Sequence, residues 1–253
     1  MENALKVIDL WKKFRIPHEK RQTIIQSIAT SLQLLGKNRY TYEEFWALKG
    51  VDFSIRSRES MGIIGENGSG KSTLLKIIAK ILRPDKGSVQ TNGTTASILE
   101  LGVGFHGELT VKENVRVYGA IMGLRSRNVK DRMDSILDFA GIARFRDAKL
   151  KNLSSGMQMR LAFSVAIETN PDIFLVDEAL AVGDLDFQKK CMDKFREFKN
   201  MGKTIVLVTH GLNLVKEFCE HAVLLSKGEM IRYGPTGDVI AEYENRVQSA
   251  SIR

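Results

Sequence analysis

Residues 65–73 have the composition and spacing of a loop that binds phosphate. They read Gly65-Glu66-Asn67-Gly68-Ser69-Gly70-Lys71-Ser72-Thr73 and match the pattern G-x-x-x-x-G-K-[ST]. The glycines allow several backbone N–H groups to point inward around an anion, and a following helix adds the positive end of its dipole. The Lys71 ammonium can reach the β- and γ-phosphates of a nucleotide, and the Ser72 hydroxyl can ligate Mg²⁺. The segment therefore predicts a nucleotide-binding site.

Two short apolar runs each end in residues that suit phosphate chemistry. Residues 173–177 read IFLVD, with Glu178 next, and residues 204–210 read TIVLVTH. All-apolar runs of this length are typical of buried parallel strands, whose carboxyl ends carry functional groups. Asp177 can reach the magnesium through water, Glu178 can polarise an attacking water, and His210 can lie beside the γ-phosphate. These residues predict hydrolysis of the nucleotide as well as its binding.

The elements that position these residues alternate between strand and helix. A short buried strand over 60–64 precedes the phosphate loop, and a helix is predicted from Leu74 to Leu82. A charged helix over 187–199 separates the two apolar strands. Alternation of this kind is typical of an α/β fold.

Further patterns flank this core. They predict half-buried strands over 4–16 and 45–57, a hairpin at Asn92-Gly93, a helical stretch from Thr110 to about Gly141, a helix opened by Ser154 and Ser155 that runs to Thr169, a hairpin over 222–233 and a terminal helix over 237–248. Thr110 and Glu113 form a capping-box pattern, and Gly141 suits a C-terminal cap. Because residues 110–170 interrupt the alternation, we expect an inserted helical subdomain.

Composition and charge limit the class of protein. The chain has 253 residues, 43% of them apolar, and this composition excludes a disordered chain or a disulfide scaffold. Its formal net charge of +8 favours acidic neighbours such as nucleic acid, anionic lipid or phosphorylated ligands. Cys191 and Cys219 lack a CxxC spacing, so we expect reduced thiols and no zinc site. No signal peptide is evident, and no apolar run reaches the ~18 residues of a membrane span. We expect a soluble protein, or one that is peripheral through a partner.

The segment Leu153-Ser154-Ser155-Gly156-Met157 resembles the LSGGQ signature of ATP-binding-cassette (ABC) ATPases, with Ser155 for the first glycine and Met157 for the glutamine. That family is a P-loop NTPase with a RecA-like core, an antiparallel β subdomain and an inserted α-helical subdomain. The resemblance implies a homodimer that holds two ATP molecules, each between one copy's phosphate loop and Ser154, Ser155 and Gly156 of the other copy. It also implies that Lys71, Glu178 and His210 act in catalysis.

Three longer stretches narrow the resemblance. LSSGMQMRLAFSVAI, DEALAVGD and ELGVGFHGELTVKEN look like the ATPase subunits of bacterial polysaccharide exporters of the O-antigen, capsule and teichoic-acid types. This likeness implies that the chain hydrolyses ATP with Mg²⁺ to export a lipid-linked polysaccharide. The expected partners are two transmembrane permease subunits, at the cytoplasmic side of the inner membrane. Asp184 matches the aspartate of the family's Ala-Val-Gly-Asp loop, which places it with the nucleotide-binding residues.

Residues 10–40 are strongly basic and contain an amphipathic helical pattern over 22–35. That pattern resembles an extra N-terminal helix of the exporter family, under the transmembrane partner. The basic segment could instead bind anionic lipid directly, and we expect the partner to cover it. We predict a cassette over residues 1–240, with the helical subdomain at about 104–170, and a tail over 241–253. Because the sequence stops at Arg253, we expect a chain without a C-terminal glycan-binding β-sandwich, either of the type that lacks this module or truncated.

Two positions depart from the common cassette pattern. An ungapped comparison puts Leu101 where most cassettes have a glutamine that contacts magnesium, and the adjacent Glu100 could serve as the metal ligand instead. The aromatic residue that stacks on adenine is best matched by Phe14, with Tyr40, Tyr42 or Trp46 as alternatives. Phe14 could also merely fill the core.

An alternative function is a non-transport ABC ATPase that acts on nucleic acid or ribosomes, which the positive charge permits. Ribosome-associated members usually carry two cassettes and DNA-repair members carry long coiled-coil insertions, and this chain shows neither. We therefore expect no nucleic-acid partner.

Overall fold

The computed structural model describes residues 2–17, 42–99, 101–177 and 183–251. The predicted helix at 22–35 therefore lies outside the described residues, as does Tyr40. The strands are β1 Asn3–Pro17, β2 Tyr42–Arg56, β3 Met61–Ile64, β4 Lys86–Thr91, β5 Thr95–Ser97, β6 Ile173–Val176, β7 Thr204–Val208, β8 His221–Ser226 and β9 Glu229–Pro235. The helices are α1 Lys71–Ile78, α2 Val111–Ile121, α3 Ser126–Asp131, α4 Met133–Ala140, α5 Ser155–Glu168, α6 Leu185–Asn200, α7 Leu212–Phe218 and α8 Thr236–Ser251. Two 3₁₀ turns lie at Ala143–Phe145 and Leu150–Asn152.

A six-stranded sheet forms the centre of the fold, in the order β5-β6-β7-β3-β8-β9. All neighbouring strands pair in parallel except β8 and β9, which form the predicted hairpin. Every residue of β3, β6 and β7 is buried, and this explains why their sequences are almost entirely apolar. The predicted α/β class is confirmed.

A three-stranded antiparallel sheet, in the order β2-β1-β4, packs against this centre. Its strands β1 and β2 pair over most of their length, with Phe14 opposite Phe45. The alternation of the sequence holds in β2, where Val51, Phe53 and Ile55 are buried between exposed or half-buried neighbours.

The predicted hairpin at Asn92-Gly93 is wrong. Strand β4 pairs with β1 in the antiparallel sheet, whereas β5 pairs with β6 in the central sheet. The Asn-Gly pair still turns the chain, and Gly93 has a left-handed φ of 104°. The turn crosses from one sheet to the other because each flanking strand finds a better partner among distant strands.

Helix α1 starts at Lys71, earlier than the predicted Leu74, and ends at Ile78 rather than Leu82. Its N-cap is Gly70, in a left-handed conformation with φ 107°. Ser72 and Thr73, predicted to be loop residues, therefore lie in the first turn of the helix. A polar segment of this kind favours a loop prediction, but here it forms the first turn of a helix, at the candidate site.

The helices between β5 and β6 carry a hydrophobic cluster of their own. Tyr118, Ile136 and Leu161 are buried in it together with residues of all four helices. The capping box of Thr110 and Glu113 is present, and Gly141 caps α4 with φ 66°. This separate core favours the predicted inserted subdomain, whose bounds stay a prediction.

Both cysteines are buried and unpaired. Burial raises the pKa of each thiol, Cys191 and Cys219, to about 12. Within the described part of the chain, none of the helices has the length and apolar character needed to cross a membrane.

Candidate functional site

Three neighbouring parallel strands, β6, β7 and β3, end at the same edge of the central sheet. Asp177 follows β6, His210 follows β7 after Thr209, and the phosphate loop follows β3. Because parallel strands present their carboxyl ends together, segments that are distant in sequence meet at this edge. The fold thus brings together the two apolar runs and the glycine-rich loop.

A cavity of about 420 Å³ lies at this edge. Its lining includes nine of the residues predicted for the site: Phe14, Asn67, Gly68, Gly70, Lys71, Ser72, Thr73, Asp177 and His210. Among the described residues, Phe45, Ala47, Ile98 and Leu99 also line it. The lining therefore combines polar and glycine residues with aromatic and aliphatic ones.

The phosphate loop joins β3 to α1, and its shape depends on Gly70. A Cβ atom at Gly70 would lie 2.5 Å from the carbonyl oxygen of Ala47, so a side chain does not fit. As the N-cap residue, Gly70 also lacks a side chain that could accept hydrogen bonds from the first amides of α1. A helix N-terminus without a side-chain cap is the geometry that phosphate sites use.

Lys71 is the first residue of α1, and only 7% of it is exposed. Its Nζ atom donates to the carbonyl oxygens of Gly65 and Glu66, at 2.7 and 2.9 Å. The ammonium therefore lies inside the curl of the loop. Gly65, Glu66 and Ser69 do not line the cavity; Ser69 is buried, and these three residues form the body of the loop.

Phe14 and Phe45 lie opposite each other on β1 and β2, and both line the cavity. Their exposed fractions are 37% and 48%, unusual for phenyl rings in a protein core. Of the described alternatives for base stacking, Tyr42 and Trp46 do not line the cavity, and Trp46 packs edge-on against Trp11 with ring centroids 5.5 Å apart. Sequence reasoning missed Phe45, because its place opposite Phe14 is set by the pairing register of β1 and β2, which no local pattern gives.

The signature residues lie away from this cavity. Ser154 is the N-cap of α5, and its hydroxyl accepts from the amide of Met157 at 3.2 Å. Ser154, Ser155 and Gly156 are exposed, whereas the preceding Leu153 is buried in the helical cluster. The start of α5 is therefore an anchored, exposed helix N-terminus with small residues.

The remaining predicted residues fall in three places. Asp184 is the N-cap of α6 and does not line the cavity. Glu178 and Glu100 lie outside the described residues, so their predicted roles as catalytic base and metal ligand stay predictions. Leu101 packs against the central and helical clusters, and Leu99 lines the cavity.

The ABC transporter family matches residues 48–181 of this chain. Over 207 residues the chain is 45% identical to the O-antigen export system ATP-binding protein RfbB of Myxococcus xanthus, covering 82% of this chain and 47% of that protein. Over 214 residues it is 40% identical to the protein of the same name in Klebsiella pneumoniae, covering 85% of each. Other curated relatives are longer, and the chain spans 65% of one and 36% of another.

A similar fold occurs in a solved structure of a dimeric ATP-binding cassette in a post-hydrolysis state, bound to ADP and Pi. It is 26% identical to this chain, with a TM-score of 0.69, over 92% of this chain and 98% of that one. The predicted cassette fold is confirmed by this likeness.

Proposed function

The chain belongs to the ABC transporter family, and on that premise we propose that it binds and hydrolyses ATP to power export of a lipid-linked polysaccharide. The observation that supports this proposal most strongly is the shared cavity at the sheet edge. There the phosphate loop, Asp177 and His210 converge from three separate stretches of sequence. A histidine at a strand end beside the phosphate loop and the acid favours hydrolysis over nucleotide binding alone.

The proposed reaction transfers the γ-phosphoryl group of ATP to water. The water oxygen bonds to the γ-phosphorus as the bond to the bridging oxygen breaks, and ADP leaves. Lys71 and the first amides of α1 would bind and stabilise the phosphate oxygens. Glu178 would orient the water and accept its proton, and His210 would contact the γ-phosphate.

The oxygen donors of the cavity suit a magnesium ion. Ser72 and Asp177 both line it, and hydroxyl and carboxylate oxygens are the ligands that Mg²⁺ prefers. Glu100 is a further candidate ligand outside the described residues. When bound, the ion would supply charge neutralisation at the phosphate oxygens.

A second copy of the chain would complete the site. Ser154, Ser155 and Gly156 are exposed and lie outside their own copy's cavity, so they are available to the nucleotide of a partner. A helix N-terminus with small residues suits a γ-phosphate. The solved cassette described above is dimeric, which supports a dimer of this chain.

The proposed cargo and location follow from the relatives named for O-antigen export. We propose two permease subunits as membrane partners, with this chain at the cytoplasmic side of the inner membrane. Opening and closing of the dimer around ATP would drive the permease, and the glycan would be an indirect cargo.

The test is ATP hydrolysis by the chain purified with its membrane subunit, supplied with different lipid-linked glycans. We expect magnesium-dependent turnover that one class of lipid-linked glycan stimulates. Glu178→Gln should keep ATP affinity and reduce turnover by roughly 10²- to 10⁴-fold, the usual contribution of a general base. Glu242→Gln, on terminal helix α8, is the matched control. Normal turnover in Glu178→Gln would refute the assignment of the base, and no stimulation by any glycan would refute the cargo.

A further inference from the structure

Behind the phosphate loop, three backbone segments meet at the turn between β8 and β9. The amide of Gly228 in this turn donates to the carbonyl oxygen of Ser69 in the phosphate loop, at 3.0 Å. The carbonyl oxygen of Gly228 accepts from the amide of Lys49 in β2, at 2.8 Å. Through these two hydrogen bonds, Gly228 joins the phosphate loop to β2, the strand that carries Phe45 and Ala47.

The junction has no room for a side chain at Gly228. Its φ is +84°, and a Cβ atom there would lie 2.9 Å from the carbonyl oxygen of Ala47 and 3.1 Å from its carbonyl carbon. Both neighbours are backbone atoms, which cannot rotate away as the end of a side chain can. A substitution must therefore move β2, the turn or the phosphate loop.

The same hairpin supports the start of the phosphate loop. A Cβ atom at Gly65 would lie 2.2 Å from the carbonyl oxygen of Leu225 in β8. Across the turn, Lys49 Nζ and Glu229 Oε1 are 3.1 Å apart, in a pair whose side chains are 34% and 58% exposed. An exposed pair of this kind contributes little, so the close backbone packing carries the contact.

We propose that Gly228 is a positioning residue for nucleotide binding, acting from outside the cavity. Its two hydrogen bonds hold the phosphate loop and the base-facing part of β2 at one fixed separation. The cavity needs that separation, because a nucleotide must reach both walls at once. This inference rests on the proposed function, since it concerns the same nucleotide site.

The first experiment compares Gly228→Ala with Gly123→Ala by direct binding of a fluorescent ATP analogue. Gly123 is the matched control, because its φ is +87° and a Cβ atom there would meet nothing within 4 Å. Both variants carry similar left-handed strain, and only Gly228→Ala collides with backbone. We expect the Kd of Gly228→Ala to rise at least about tenfold and that of Gly123→Ala to stay near wild type.

Thermal unfolding of both variants without nucleotide separates positioning from general destabilisation. If Gly228→Ala binds the analogue as tightly as wild type does, the inference is wrong. It is also wrong if both variants lose affinity in proportion to their loss of Tm. If the wild-type protein binds no ATP analogue, the proposed function fails first and the inference with it.

A second measurement uses the unmutated chain in case Gly228→Ala does not fold. Amide hydrogen exchange at Gly228 and Lys49 should slow when the ATP analogue binds, although neither residue lines the cavity. The amide of Thr236, which donates to Glu220 at the far end of the hairpin, is the internal control and should not change. Unchanged exchange at Gly228 and Lys49 with bound analogue would overturn the proposal.

Discussion

Asp184 Oδ2 lies 3.2 Å from Arg160 Nη1, which joins the loop before α6 to the helix that begins at the signature. The other carboxylate oxygen of Asp184 accepts from the amide of Phe187 at 2.9 Å. One side chain thus caps α6 and links its start to α5. The start of α6 and the signature helix are therefore joined by this pair, although neither Asp184 nor Arg160 lines the nucleotide cavity.

We predict that Asp184→Asn separates turnover from ATP affinity. The amide oxygen of asparagine can still cap α6, but the ion pair with Arg160 is lost. Because the Asp184 side chain is 62% exposed, the free energy of unfolding should fall by less than about 1 kcal/mol. Turnover should fall more strongly, because the start of α6 loses its link to the signature helix α5, while the Kd for ATP stays unchanged.

The measurements are steady-state hydrolysis and equilibrium binding. Asp186→Asn, in the first turn of the same helix, is the control. A loss of affinity equal to the loss of turnover would show that Asp184 acts on binding instead.

We predict that Phe45 contributes to nucleotide affinity as much as Phe14 does. Both phenyl rings line the cavity, and stacking of a base on an aromatic ring is worth roughly 1–3 kcal/mol. Phe14→Ala and Phe45→Ala should each raise the Kd for ATP by roughly 5- to 150-fold. Tyr42→Ala, on the same strand as Phe45 but outside the cavity lining, should leave the Kd near wild type. Wild-type affinity in Phe45→Ala would leave Phe14 alone as the base contact.

We predict that Lys71→Ala lowers the stability of the nucleotide-free protein as well as its affinity for ATP. Its ammonium satisfies the carbonyl oxygens of Gly65 and Glu66, so the unliganded protein should lose about 1 kcal/mol of stability. The Kd for ATP should rise by roughly 10- to 100-fold, as expected for a lost charge-assisted contact. Lys76→Ala, exposed on the same helix, is the control for both denaturant unfolding and binding. Unaltered stability in Lys71→Ala would mean that the loop holds its shape without the ammonium.

We predict that the Asp172 carboxylate makes the stability of the protein depend on pH in the acid range. Asp172 lies just before β6 and accepts hydrogen bonds from Thr94, in the turn between β4 and β5. The backbone hydrogen bond from Thr94 lowers the pKa of Asp172 below its usual 3.8, and a contact with Lys203 acts in the same direction. A lowered pKa in the folded state stabilises the protein above pH 3.8, and this contribution fades as the pH falls through the folded value. Asp172→Asn should therefore be less stable than wild type at pH 7, and the difference should shrink below pH 3.8.

Urea unfolding across this pH range measures the effect. The exposed Asp131→Asn at the end of α3 serves as the control. A difference between Asp172→Asn and wild type that stays constant with pH would contradict the assignment to the carboxylate.

Local sequence patterns were sufficient to predict several structural elements. The capping box of Thr110 and Glu113, the cap at Gly141 and the start of α5 after Ser154 were all correctly predicted. Each depends on contacts within a few residues, so the sequence pattern contains the full physical cause. The buried strands were likewise readable, because a strand covered on both faces must be apolar throughout.

Which strands pair with each other could not be predicted from the local sequence. Asn92-Gly93 carries the chemistry of a hairpin turn, yet β4 and β5 pair with β1 and β6 in different sheets. A turn pattern specifies how the chain bends, whereas pairing depends on which distant edges are free and which apolar faces they bury. The early start of α1 has a similar origin, since Gly70 is held by the close approach of Ala47 from β2.

The sequence by itself determined the chemistry of the site, because the spacing of the phosphate loop and the acid and histidine at strand ends needs no knowledge of the fold. Only the tertiary structure decided how the walls of the cavity meet. It set Phe45 opposite Phe14, and it placed the Gly228 turn behind Ser69. These contacts join residues that are far apart in the chain, and their free energy comes from close packing that no local pattern encodes.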